Sequence, residues 1–187
     1  MTKFVKTAKT GKNRRPDEQA IQPFPIRPYV PILINEWQNN RIMHIAKSRQ
    51  MGMSWFCLAM LLWETQFYDY KQCVVINKAL DDSLAGIDRV KLMYNNQPAW
   101  LKSMCPLDRK VDDLPRENIT FANGSMVLGL PQGAHKIRGL VPATALLDEA
   151  AYQDELAQTY AACVPCSSRI VTVCSAGPGF FRQLCCE

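Results

Sequence analysis

Two segments of this chain carry residue types at spacings that suit chemistry: Lys47-Ser48-Arg49-Gln50-Met51-Gly52-Met53-Ser54, and Asp148-Glu149. The first stands between a short apolar run and an apolar helical pattern. That is the setting of a loop that wraps phosphates with backbone N–H groups and a helix N-terminus. The usual form of such a loop is G-x-x-x-x-G-K-[ST]. Gly52 fills the second glycine position, and Ser54 fills the position of the hydroxyl that contacts Mg²⁺. Two positions depart: Lys47 stands at the first glycine and Met53 at the lysine. The ammonium needed near the β- and γ-phosphates would then enter from the start of the loop, with Arg49 as a second cation. Taken alone, the segment also reads as a solvated basic turn ahead of a core helix.

The second segment closes the apolar run Thr144-Ala145-Leu146-Leu147, a buried-strand pattern ending in two acids. Asp148 suits the hydration shell of Mg²⁺, an ion that keeps several of its waters. Glu149 suits the task of orienting and deprotonating an attacking water. A strand ending in an acidic, solvated turn is the plainer reading of this segment by itself. The two segments together, in this order and each at the end of a strand, point to nucleotide binding and hydrolysis.

Positioning these residues requires strands that end where they lie. Apolar runs predict strands at 41–46, Gln72–Asn77, Thr144–Asp148 and Arg169–Ser175, and helices at 54–68, Leu80–Asn95 and near 153–162. Alternating strands and helices imply a parallel sheet covered on both faces. Ligands of such sheets bind at the carboxyl ends of the strands. Asn123-Gly124 between two apolar runs predicts a hairpin, which interrupts the alternation. The loop 132–135 precedes the acidic strand, and His135 reads there as a solvated histidine.

At 187 residues the chain fits one domain with a proper core, and its composition is that of a globular protein. The net charge of +5 owes much to Lys3, Lys6, Lys9, Lys12, Arg14 and Arg15. This polar segment, 1–15, predicts a disordered basic arm, followed by a proline-rich lead-in at 16–31. No apolar run after the arm forms a secretion signal, and the apolar stretch 55–63 is too short to span a bilayer. Eight cysteines without such a signal imply free thiols in a reducing cytoplasm. Cys163 and Cys166 have the spacing of a zinc half-site, but the adjacent Cys185 and Cys186 suit tetrahedral ligation badly. Cys73 and Cys174 read as buried small hydrophobes.

The loop K-S-R-Q-M-G-M-S-W resembles the variant phosphate loop of tailed-phage terminase large subunits, ATPases that pump DNA into a preformed capsid. Some members carry the loop lysine at the start of the motif, where Lys47 stands. Lys136-Ile137-Arg138-Gly139-Leu140, followed by Ala145 to Tyr152, resembles the family's approach to its acidic motif. Ile170-Val171-Thr172-Val173-Cys174-Ser175-Ala176-Gly177-Pro178-Gly179 resembles its coupling motif. Asp88-Arg89-Val90-Lys91 and Gln97-Pro98-Ala99-Trp100-Leu101 look like the family's helix and its exit. The resemblance runs from about Phe24 to about Phe181.

This resemblance implies a three-layer P-loop NTPase fold, α/β, with a mostly parallel central sheet and helices on both faces, over residues 16–187. It implies ATP on Lys47, Ser48, Arg49, Gln50, Met51, Gly52, Met53 and Ser54, with Mg²⁺ held by Ser54 and Asp148. Glu149, Lys47 and Arg49 would be catalytic, and Ser175 would report departure of the γ-phosphate. Arg138 would sense nucleotide, meet a neighbouring subunit, or form a structural ion pair. The adenine site lies upstream of the loop, with Gln22, Phe24, Tyr29, Trp37 and Gln38 as candidates. The implied partners are double-stranded DNA, the portal protein, the small terminase subunit and further copies in a ring, with no membrane. The implied location is the host cytoplasm and, transiently, the procapsid portal. Family members continue into a nuclease domain, an activity not expected of this chain. The alternative is a degenerate or truncated nucleotide-binding module, acting by DNA or protein binding without useful turnover. A helicase-type ATPase would call for a second motor domain.

Overall fold

The computed structural model describes residues 5–8, 21–109, 115–177 and 179–186. Three strands, β4 (Gln72–Asn77), β7 (Thr144–Asp148) and β8 (Arg169–Ser175), are buried along nearly their whole length. Continuous apolar runs of this kind belong to parallel strands covered on both faces. They form the centre of a six-stranded sheet completed by β3 (Ile42–Lys47), β5 (Asn118–Thr120) and β6 (Met126–Pro131). The order is β3-β8-β7-β4-β6-β5, parallel throughout except for β5, which runs antiparallel to β6.

Side chains alternate across this sheet and feed two cores. On one face Met43, Ile45, Val75, Leu146, Val171 and Val173 pack beneath α1 (Tyr29–Asn39), α2 (Met53–Phe67) and α3 (Leu80–Asn95). On the other, Val74, Ile76, Ala145, Leu147, Ile170 and Cys174 pack beneath α5 (Ala134–Ile137), α6 (Leu156–Cys166) and α7 (Phe180–Cys186). Each of the valine, leucine, isoleucine and methionine side chains among these contributes about 1.5–3 kcal/mol when fully buried. The three-layer α/β fold with a mostly parallel sheet is therefore present. A short helix, α4 (Ala99–Met104), leads from α3 toward β5. Among the described residues, no helix is long and apolar enough to cross a membrane.

Three local expectations are corrected. Within the arm predicted to be disordered, β1 (Lys6–Ala8) pairs antiparallel with β2 (Ile21–Pro23). Val5 and Thr7 turn inward, and the Val5 carbonyl accepts from Phe24 N at 2.8 Å. The rest of the arm lies outside the described residues. Part of the proline-rich lead-in is helical: Pro28 caps α1 and Pro31 sits in its first turn, where a missing N–H costs nothing. The helix expected near 153–162 starts later, at Leu156, because a 3₁₀ turn (Ala150–Tyr152) follows the acidic pair.

The Asn123-Gly124 hairpin forms between β5 and β6. Phe121 N donates to Ser125 O at 2.9 Å, and Asn123 Nδ2 reaches Thr65 O and Tyr68 O, clipping the turn to the end of α2. Gly124 sits at φ 77°, and a Cβ there would lie 2.7 Å from the Tyr70 ring. Gly124→Ala is expected to cost about 2 kcal/mol, combining left-handed strain with that clash. Thermal denaturation checks this as a fall in Tm of roughly 4–8 °C.

Candidate functional site

The site begins where β3 ends. Lys47, the last residue of β3, lies opposite Ser175, the last residue of β8. The chain then turns through an exposed loop, Ser48, Arg49 and Gln50, into α2. Gln50 and Gly52 both adopt left-handed backbone, at φ 64° and 76°. Gly52 caps α2, and a Cβ there would find ordinary space 3.9 Å from Phe24. Glycine is favoured at this position by its φ rather than by crowding. Tyr29 Oη donates to Met51 O at 2.6 Å and pins the loop to α1.

Met53 explains the departure at the usual lysine position. It is 3% exposed and packs in the core of the α1–α3 face. An ammonium there would have to leave the core to meet a phosphate. Lys47 is instead half-buried at the strand tip. Its charge is felt at two buried thiols beneath the site. Burial pushes the Cys57 thiol well up, Asp148 adds to this, and Lys47 opposes it. Burial also raises Cys174, with Lys47 lowering it and Glu149 and Asp148 raising it.

Asp148 closes β7 two strands away from Lys47, with β8 between. Ser54 Oγ donates to Asp148 Oδ1 at 2.9 Å, so the start of α2 and the acidic strand meet directly. The same oxygen accepts from the backbone N–H of Glu149 at 3.0 Å. Asp148 is 5% exposed. Burial raises its carboxyl pKa; the hydrogen bonds from Ser54 and Glu149 oppose this, the Glu149 charge adds to it, and Arg89 lowers it. The carbonyl of Asp148 accepts from Gln153 Nε2 at 2.8 Å, and that amide also reaches Ile76 O at 3.1 Å.

Glu149 is exposed and left-handed, at φ 51° and ψ 38°. A non-glycine residue there costs about 1–2 kcal/mol, the kind of outlier found at functional sites. This left-handed residue follows β7 and caps the 3₁₀ turn. Gly177, just past β8, lies against that turn: a Cβ on it would stand 2.8 Å from Ala151 Cβ.

The carboxyl ends of β3, β8 and β7 thus gather Lys47, Ser175, Asp148 and Glu149, with Ser54 joined to them from α2. Arg49 stays on the exposed loop, and Arg138 is exposed after α5. His135 is exposed within α5. Among the adenine candidates, Phe24 and Tyr29 adjoin the loop. Trp37 does not: it lies at the opposite end of the strands, with Gln38, on a cavity of about 400 Å³ that includes Ser168 and Arg169 before and at the start of β8. Cys163 is buried in α6, its thiol raised by burial to about 12. Cys185 and Cys186 are exposed on α7. Sequence reasoning missed Gln153, whose tie to β4 has no signature in its neighbours. It also missed the stacking of Arg89 on Trp55, with the guanidinium carbon 5.7 Å from the ring centroid.

No family model matches the chain, and no curated protein matches it. Solved structures do. The HK97 bacteriophage large terminase matches with a TM-score of 0.63 and 15% identity, over 83% of this chain and 34% of that one. The ATPase domain of the Thermus phage P74-26 large terminase matches with a TM-score of 0.53 and 16% identity, over 86% and 69%. A large terminase from another thermophilic bacteriophage, in complex with ADP, matches with a TM-score of 0.56 and 15% identity, over 80% and 39%. The chain shares the fold of phage large terminase ATPase domains and spans 34% of the HK97 protein's length.

Proposed function

We propose that this chain is an ATP-binding and ATP-hydrolysing motor domain of a phage terminase large subunit, powering translocation of viral DNA into a procapsid. The hydrogen bond from Ser54 to Asp148 carries the reading, because it joins the phosphate loop to the acidic strand at 2.9 Å. The shared fold supports it, and so does the ADP bound by a phage terminase of that fold. The loop N–H groups and the first turn of α2 receive the phosphates. Lys47 and Arg49 neutralise charge that develops on the transferring group. Glu149 orients the attacking water and takes its proton.

Ser54 Oγ and the Asp148 carboxylate are hard oxygen donors already in contact, which suits Mg²⁺. A Mg²⁺ ion held by Ser54 and Asp148 would supply charge neutralisation to the phosphates. Ser175, which pairs with Lys47 at the strand tips, responds in this reading when the γ-phosphate leaves. In this reading the motor works in the host cytoplasm and at the procapsid portal. Its partners are double-stranded DNA, the portal protein, the small terminase subunit and further copies of itself in a ring.

Calorimetric titration with Mg²⁺ and a slowly hydrolysed ATP analogue tests the site. Lys47→Ala is expected to weaken binding about 10–100-fold, the loss of a hydrogen bond to a charged group. Unchanged affinity in that variant would remove the displaced-lysine assignment. Absence of binding by the unaltered chain would overturn the nucleotide reading.

A further inference from the structure

α3 begins just past the carboxyl end of β4, so its N-terminus lies at the edge of the sheet that holds the site. It packs closely on β4 and α2 at Gly86, where a Cβ would meet Val75 Cγ1 at 3.3 Å and Leu58 Cδ2 at 3.8 Å. Arg89 follows three residues later on the same face of the helix. Helical side chains tilt toward the N-terminus, so Arg89 extends toward the site. Its guanidinium stacks on Trp55, the residue next to Ser54. The neighbouring Asp88 is engaged by Arg116 at 3.3 Å. Among the described residues, no carboxylate forms an ion pair with Arg89.

A half-buried guanidinium with an aromatic face as its resting place, one residue from the Ser54 hydroxyl, is a cation held in reserve. Phosphate oxygens arriving on the loop offer it charge-assisted, bidentate hydrogen bonds that an indole face cannot match. We infer that Arg89 is a further catalytic residue of the nucleotide site, resting on Trp55 and turning to the phosphates when nucleotide fills the loop. This inference rests on the nucleotide reading above. It adds a cation from the same chain to Lys47 and Arg49, delivered from α3 rather than from the loop.

Tryptophan emission and single-turnover hydrolysis test it on the full chain, with Arg89→Gln, Arg89→Lys and Trp55→Phe. Adding Mg²⁺ and the slowly hydrolysed analogue is expected to change the emission of the unaltered chain. That change should be lost in both Trp55→Phe and Arg89→Gln. Arg89→Gln should slow single-turnover hydrolysis about 10–100-fold, with Arg89→Lys recovering part of the rate, because charge is kept and the bidentate fork is lost. An Arg89→Gln variant that hydrolyses and responds like the unaltered chain overturns the inference and leaves the nucleotide reading intact. So does a lysine variant no better than glutamine with an equal loss of Tm, which assigns Arg89 to packing alone. Failure of the unaltered chain to bind the analogue overturns both.

Discussion

Glu149→Gln is expected to lower single-turnover ATP hydrolysis by about 10²–10⁴-fold, the usual worth of a general base. Affinity for the slowly hydrolysed analogue should stay within about threefold of the unaltered chain, because the amide removes a base without removing a phosphate contact. The structure favours this separation. Glu149 is exposed, and it is the Glu149 backbone N–H, not its side chain, that supports Asp148. Glutamine keeps that backbone contact and adopts the same left-handed turn at similar cost. Tm should therefore not move. Calorimetry, a melting curve and a single-turnover assay on one preparation decide the matter. Hydrolysis and affinity falling in proportion would mean that Glu149 binds rather than activates.

Glu64→Ala is expected to lower stability by about 3–5 kcal/mol, because it removes a buried acceptor and leaves the half-buried Arg169 charge unmatched. Glu64 is buried in α2, at the amino ends of the strands, away from the phosphate loop. Its Oε1 accepts from Trp37 Nε1 at 2.7 Å and pairs with Arg169. Its Oε2 accepts from Thr144 Oγ1 at 2.6 Å and faces Cys73 Sγ at 3.7 Å. One carboxylate thus joins α1, α2, β7 and β8, and Arg169 also stacks over Trp37 at 5.6 Å. Alanine removes every one of these contacts and leaves a cavity as well. Urea denaturation should show the loss, with a fall in Tm of roughly 6–20 °C. Glu64→Gln should recover part of it, since the amide oxygen still accepts while the Arg169 charge goes unmatched. Folded Glu64→Gln should bind the analogue as the unaltered chain does, because the site lies at the carboxyl ends of the strands and Glu64 at their amino ends.

The elements that position the site were legible where both faces of a strand are covered. β4, β7, β8 and α3 have the bounds their apolar patterns predict. Gly52 and Ser54 marked the loop because only certain residues suit a left-handed turn and a helix start. Other features depend on tertiary contacts. Trp37 reads as a base-stacking aromatic by its place upstream of the loop, yet its indole N–H is held by Glu64 at the far end of the strands. The prolines at 28 and 31 read as a lead-in, yet they occupy the turn of a helix that tolerates them. The left-handed backbone of Glu149 has no signature in residue type, since glutamate rarely adopts it. Met53 looks like a lost function until its burial shows that its side chain belongs to the core.

The placement of β8 between β3 and β7 has a mechanical consequence. Lys47 and Asp148 belong to strands that do not touch, and β8 is hydrogen-bonded along both edges, to Ile42–Lys47 on one side and Thr144–Asp148 on the other. Spreading the two strand tips would shear both ladders at once, so β8 acts as a splint that fixes the gauge of the gap between Lys47 and Asp148. Compliance is left to the segments beyond the splint. There Gly177 rests on Ala151 with no room for a methyl group. Under the proposed nucleotide reading, a displacement that begins at the γ-phosphate would leave the sheet as a push of Gly177 on the Ala151 side chain.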